Sequence, residues 1–290
     1  MTQYINKTSM VKIFNNKVGT FLLIILVTAW SYDQPYLRFV QEKQYPISWC
    51  IFPFYLISFG FLSLFYFGII YINSDVPFMQ HANMYQVIRT GRKKWAAGQI
   101  GGIFIRSFVI TLLSAVIAIL PFMGKLELTN EWGKVVYSLA SERIQFSEFI
   151  LENNLEFRFN YEILEEFTPM QLMVITILLC TFICTFLGMV MFVLSLFAGR
   201  VVAVSGALVF VVLLFFVQNA PEVYKRPLAH FVPTYWGEVA LIATPGSAGY
   251  YRLPSLTYMF SFLIIAILAM SAIVLFRVKH IEFNWENEDA

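Results

Sequence analysis

The residues able to do chemistry in this chain are few and widely spaced. Histidine occurs at His81, His230 and His280, too far apart in sequence to suggest a shared metal site. Cys50, Cys180 and Cys184 all fall in apolar runs. Cys180 and Cys184 share one helix face, but two thiols with no histidine or carboxylate beside them make a weak metal site, and no pair lies where an oxidised staple would form. Buried free thiols are expected. The chain contains no Gly-x-x-x-x-Gly-Lys-Ser/Thr phosphate loop, so it does not bind and hydrolyse nucleotide by that route, and neither His-Glu-x-x-His nor Gly-x-Ser-x-Gly occurs. These patterns argue against an enzyme and against a cofactor or metal held by the chain itself. What stands out instead is charge in unusual places: Arg106 inside an apolar run, Glu238 in a Pro/Gly-rich stretch, and the cluster Arg89, Arg92, Lys93 and Lys94.

The elements that must position these residues are membrane helices. Hydrophobic residues make up 59% of the 290 and charged residues 13%, which excludes an ordinary soluble domain and predicts an integral membrane protein. A net charge of +2 gives no ground for a nucleic-acid partner. The pattern predicts an all-α polytopic membrane protein with six transmembrane helices in a single domain over residues 1–290. Span one covers Val18 to about Tyr32 and must begin earlier to reach the ~20 residues a bilayer requires. Asp33 to Tyr45, punctuated by Pro35 and Pro46, reads as an external loop. Span two covers Ile47 to Ile72, span three Trp95 to about Met123, span four about Met170 to Phe197, span five Val201 to Val217 and span six about Leu253 to Val278. Gly199-Arg200 leaves only a tight turn between spans four and five, which must pack as an antiparallel hairpin.

Ahead of span one, Ser9 to Lys17 suits either a short interfacial helix or a polar tail, and no cleavable signal peptide is evident. The short segments carrying Lys7, Lys12, Lys17, Arg89, Arg92, Lys93, Lys94, Arg200, Arg277 and Lys279 hold few acids. By the positive-inside rule these segments and both termini face the cytoplasm, with the protein in the plasma membrane.

Between these spans lie three distinctive stretches. Ser74 to Trp95 reads as a short helix on the cytoplasmic surface, with Asp75 or Ser74 as N-cap, Pro77 in the first turn and Gly91 as its stop. Residues 124–168 form an acidic external insertion with two short amphipathic helices. It serves as a solvated face, a lid or a cation-attracting mouth. Residues 218–252, rich in Pro and Gly and broken at Thr244-Pro245-Gly246, read as external re-entrant helices between spans five and six. Glu238 within them either marks an outer gate or faces lipid headgroups. Arg106 either snorkels, pairs with a neighbouring helix or meets substrate. Phe52, Phe59 and Tyr66, at seven-residue spacing, form either a substrate-path stripe or a packing stripe on span two.

This layout resembles the permease subunits of type-2 ATP-binding-cassette exporters of bacteria, and Ile88-Arg-Thr-Gly-Arg-Lys-Lys-Trp-Ala-Ala-Gly98 is similar to their Arg-rich, Trp-containing entry to span three. The long insertion between spans three and four departs from compact members of that family. The resemblance implies a permease homodimer with ATP and Mg bound by two separate cytoplasmic ATPase subunits. It also implies that the surface helix is a coupling helix, seating Phe78, Met79, His81, Met84, Tyr85, Ile88 and Arg89 against the ATPase. Otherwise the basic cluster is a topology signal drawn to anionic lipid. By the same resemblance spans one, two and five line the path, making Phe52, Phe59, Tyr66 and Arg106 candidate path residues and Glu238 a candidate outer gate. The implied cargo is an amphipathic or antimicrobial-type peptide; a hydrophobic drug or lipid also fits. A peptide-sensing or immunity subunit, and a secondary transporter, are readings of other classes.

Overall fold

The computed structural model describes residues 15–74, 87–141, 155–244 and 253–279. Helix α1, Asn16–Lys43, carries Val18, Phe21, Ile25, Ala29, Asp33, Tyr36 and Val40 on one buried stripe at three- and four-residue spacing. That stripe continues through the polar stretch after Tyr32, so no loop forms where one is expected. The helix holds Pro35 inside it, giving up one backbone hydrogen bond, and stops only at Gln44 in the left-handed region (φ 57°). Its 28 residues rise about 42 Å.

Span two also departs from expectation. A two-residue strand β1, Ile47–Ser48, is followed by a single helical turn α2, Phe52–Tyr55, and then by α3, Phe59–Asn73. Pro53 starts the first piece and Ser58, extended at ψ 123°, separates it from the second. The turn is closed by Ile57 N donating to Phe54 O (3.1 Å) and Ser58 N to Tyr55 O (3.1 Å), so the break does not strand these amides.

Helix α4, Arg92–Ile119, ends in a 3-10 turn, Leu120–Phe122. The insertion then supplies strand β2, Leu126–Glu127, parallel to β1 with Ile47 opposite Leu126, helix α5, Gly133–Ala140, and helix α6, Tyr161–Glu166. Helix α7, Pro169–Asn219, opens on a capping box in which Thr168 and Gln171 exchange hydrogen bonds and Pro169 takes the first position. Gly199 (φ 85°, ψ 179°) breaks it into two arms, and Phe186 meets Phe210 across them with ring centroids 5.1 Å apart. The hairpin expected at Gly199-Arg200 is therefore present. Helix α8, Glu222–Phe231, a 3-10 turn at Pro233–Gly237, helix α9, Val239–Ile242, and helix α10, Leu256–Arg277, complete the order.

Arg92–Phe122, Pro169–Asn219 and Leu256–Arg277 are each long and apolar enough to cross a membrane, whereas α3 is apolar but shorter. The protein is an all-α membrane protein in its main body. Successive long helices run in alternating directions: Lys17 reaches Ser74, Tyr55 reaches Ala118, and Trp95 meets Phe192. One core extends through α1, α2, α3, α4, α7, α9 and α10 and takes in Trp132, Val135, Val136, Leu139, Phe157, Phe159, Ile163 and Leu164 of the insertion. The insertion is built into the fold rather than appended to it.

Candidate functional site

At one end of the molecule the basic helix termini converge. Lys17 Nζ donates to Ser74 Oγ (2.9 Å) and lies 5.1 Å from the Tyr71 ring centroid. Arg92 donates to the Lys279 carbonyl (2.9 Å), which ties the start of α4 to the end of α10. Immediately before α4, residues 87–90 form a helical turn whose Val87 amide oxygen accepts from Gly91 N (2.8 Å). Val87 is buried in a second apolar cluster with Trp95, Ile103, Met189, Phe192, Val274 and Val278. Its neighbour Ile88 points the other way and is 67% exposed, next to exposed Arg89. The turn therefore buries Val87 against the helices and leaves Ile88 and Arg89 on the outside. Of the other expected coupling residues, Phe78, Met79, His81, Met84 and Tyr85 lie outside the described residues.

Away from this end, three side chains of charged type are buried among the described residues. Arg106 is 3% exposed and donates to Asn73 Oδ1, so the arginine pairs with a neighbouring helix rather than snorkelling to the interface. Glu238 is 2% exposed, which corrects the expectation of a headgroup-facing carboxylate. It follows the 3-10 turn at Pro233–Gly237 and accepts from the Gln218 side chain near the end of α7. A neutral amide is a poor counter-charge, so an ionised carboxylate here is costly and the group is held in place by geometry. The Tyr66 hydroxyl, buried without a hydrogen-bond partner among the described residues, abuts Gly237 beside it.

The third buried side chain of charged type is Asp33, invisible in a sequence reading that ends span one at Tyr32. The signal that could have found it is the α1 stripe, in which Asp33 occupies a core position four residues after Ala29 and three before Tyr36. Tyr55 donates to one Asp33 oxygen and also reaches the Ala118 carbonyl (3.2 Å).

The expected span-two stripe does not form. The break at 56–58 puts Phe52 and Phe59 on separate pieces. Phe52 and Tyr66 are fully buried in the core, and Phe59 is part-exposed against Phe215. The cysteines are all buried and unpaired, and among the described residues no group of three potential ligands could hold a metal.

Compared with known proteins, the chain matches no family model, no curated protein and no solved structure.

Proposed function

We propose that this chain is the membrane permease subunit of an ATP-driven exporter, crossing the plasma membrane six times with both termini in the cytoplasm. The observation that carries this reading is the anchored turn at 87–90, where Val87 is fixed in the cluster joining α4, α7 and α10 while Ile88 and Arg89 are presented outward at the basic end. A push on Ile88 is delivered to the helices that hold Val87, because close-packed cores transmit displacement instead of absorbing it. The partner that pushes is a cytoplasmic ATP-binding-cassette subunit, which holds ATP and Mg. This chain contributes no nucleotide chemistry.

In this reading α1, the α2–α3 pair, α4, the two arms of α7 and α10 are the six crossings. α3 alone rises only about 22 Å, short of the ~30 Å hydrocarbon core, and the broken piece from Phe52 to Ser58 supplies the remainder. Such a break is tolerated where the backbone is buried in protein, as it is here. The short helices between Glu222 and Ile242 are the external re-entrant segment. Two copies assemble around the path, and the cargo is an amphipathic cationic peptide.

The test is purification of the full chain from its native membrane, identification of any ATP-binding-cassette subunit that stays with it, and nucleotide hydrolysis across a panel of cationic peptides, hydrophobic drugs and lipids. Association with peptide-stimulated hydrolysis is expected. Failure of any such ATPase to associate removes the exporter reading.

A further inference from the structure

Asp33 is a buried carboxylic acid for which the transport reading has no use. It is fully buried, and its Oδ2 has no hydrogen-bond partner among the described residues. One tyrosine hydroxyl on the other oxygen is little compensation for a carboxylate withdrawn from water. Its surroundings are unusual in composition. The Tyr55 ring stacks on Phe61 (centroids 5.1 Å apart) and lies 6.4 Å from Tyr32, while Tyr36 follows Asp33 by three positions on the same helix face. A buried carboxylate beside tyrosine side chains is a chemistry that recognises an alkylammonium ion, in which the charge meets the carboxylate and the methylenes meet the rings.

A cavity lies on the other side of Phe157 from this place. The cavity, of about 320 Å³, is lined by Ile57 of the broken span, Leu241 of α9 and the insertion segment Leu155 to Asn160. That segment alternates, with Glu156 and Arg158 exposed and Phe157 and Phe159 buried. Phe157 lines the cavity on one side. On the other its ring stacks on Tyr36 at 4.6 Å and meets Tyr55 edge-on at 4.8 Å, and its carbonyl accepts from the Tyr36 hydroxyl. Phe157 therefore stands between the cavity and the two tyrosines next to Asp33. Glu156 and Arg158 at its rim offset one another in charge.

We propose that Asp33, Tyr36 and Tyr55 form a binding site for an alkylammonium group entering from the cavity, and that Phe157 fills the place of that group in the present conformation. The site lies within this chain and operates without any ATPase, so it stands or falls apart from the export reading.

The experiment is calorimetric titration of the full-length protein, purified in nonionic detergent, with octylammonium, using octanol as the uncharged control. Phe157→Ala opens the site, and the expected result is saturable octylammonium binding about tenfold or more tighter than in the unaltered protein. Adding Asp33→Asn to Phe157→Ala abolishes that gain, and octanol does not distinguish the variants. Phe157→Leu, which keeps more of the packing, carries the same comparison if the alanine variant fails to elute as a folded species. Octylammonium affinity unchanged by Asp33→Asn, octanol binding as tightly as octylammonium, or no saturable binding in any opened variant would each overturn the proposal.

Discussion

Arg106, at the middle of α4, donates to the Oδ1 of Asn73, the last residue of α3. The contact gives the buried arginine a partner on another helix and places a polar link between α3 and α4. An acceptor buried beside a guanidinium is expensive to remove, since the donor then loses a partner it cannot replace with water.

Asn73→Ala should therefore destabilise the protein by about 1–3 kcal/mol, while Asn73→Asp, which keeps the acceptor oxygen, should lose much less. Thermal unfolding of both variants in one detergent checks this. Equal losses would mean that the volume of the side chain matters and the hydrogen bond does not.

Gly188 on α7 faces the same crossing. A Cβ there would stand 2.6 Å from Ile103 Cγ2 and 3.3 Å from Asn73 Nδ2. Gly188→Ala should cost about 1–3 kcal/mol by overpacking, and Ile103→Ala should recover part of that loss when combined with it. A double-mutant cycle from thermal unfolding reads the coupling directly; strict additivity would contradict it.

Gly199 differs in kind. Its φ of 85° with ψ 179° suits glycine alone, yet no atom lies within 4 Å of where a Cβ would be. Gly199→Ala should destabilise the hairpin by about 1–3 kcal/mol through the backbone only. Because nothing crowds the site, no compensating large-to-small change on α4 or α10 should rescue it. Rescue by any such change would show that sterics, and not φ, are responsible.

Val87 and Ile88 are adjacent and face opposite ways, which separates stability from coupling. Val87→Glu should lower the melting temperature by placing a charge in the cluster with Trp95 and Phe192. Ile88→Glu should leave melting unchanged and weaken ATPase association by about 1–3 kcal/mol, the range for an exposed aliphatic that becomes buried at an interface. Pull-down of the partner subunit against both variants decides; full association with Ile88→Glu would remove this contact from the coupling surface.

Much of the architecture is legible in the residues. The long apolar runs of α4, α7 and α10 exceed what any soluble helix needs, and Gly199-Arg200 leaves no room for anything but a hairpin. Two things escape a reading by average hydropathy. Asp33, Gln34, Arg38, Gln41 and Glu42 make the end of α1 look like a loop, although the buried stripe from Val18 to Val40 continues beneath them. Conversely, the run from Ile47 to Ile72 is so uniformly apolar that its break at Leu56 to Ser58 leaves no trace except Pro53 and Ser58. The burial of Glu238 is tertiary: Gln218, its partner, is 20 residues earlier, and no local pattern joins them. The site around Asp33 depends on Phe157 from the far side of the insertion and was not readable as a site at all.

The pairing of Tyr36 with Phe157 spans 121 residues of chain. At the ~5–20 residues per second of synthesis, roughly 6–24 s pass between the emergence of the first aromatic and that of the second. During that interval Tyr36 lacks both the carbonyl that accepts its hydroxyl and the ring that stacks on its own in the folded protein.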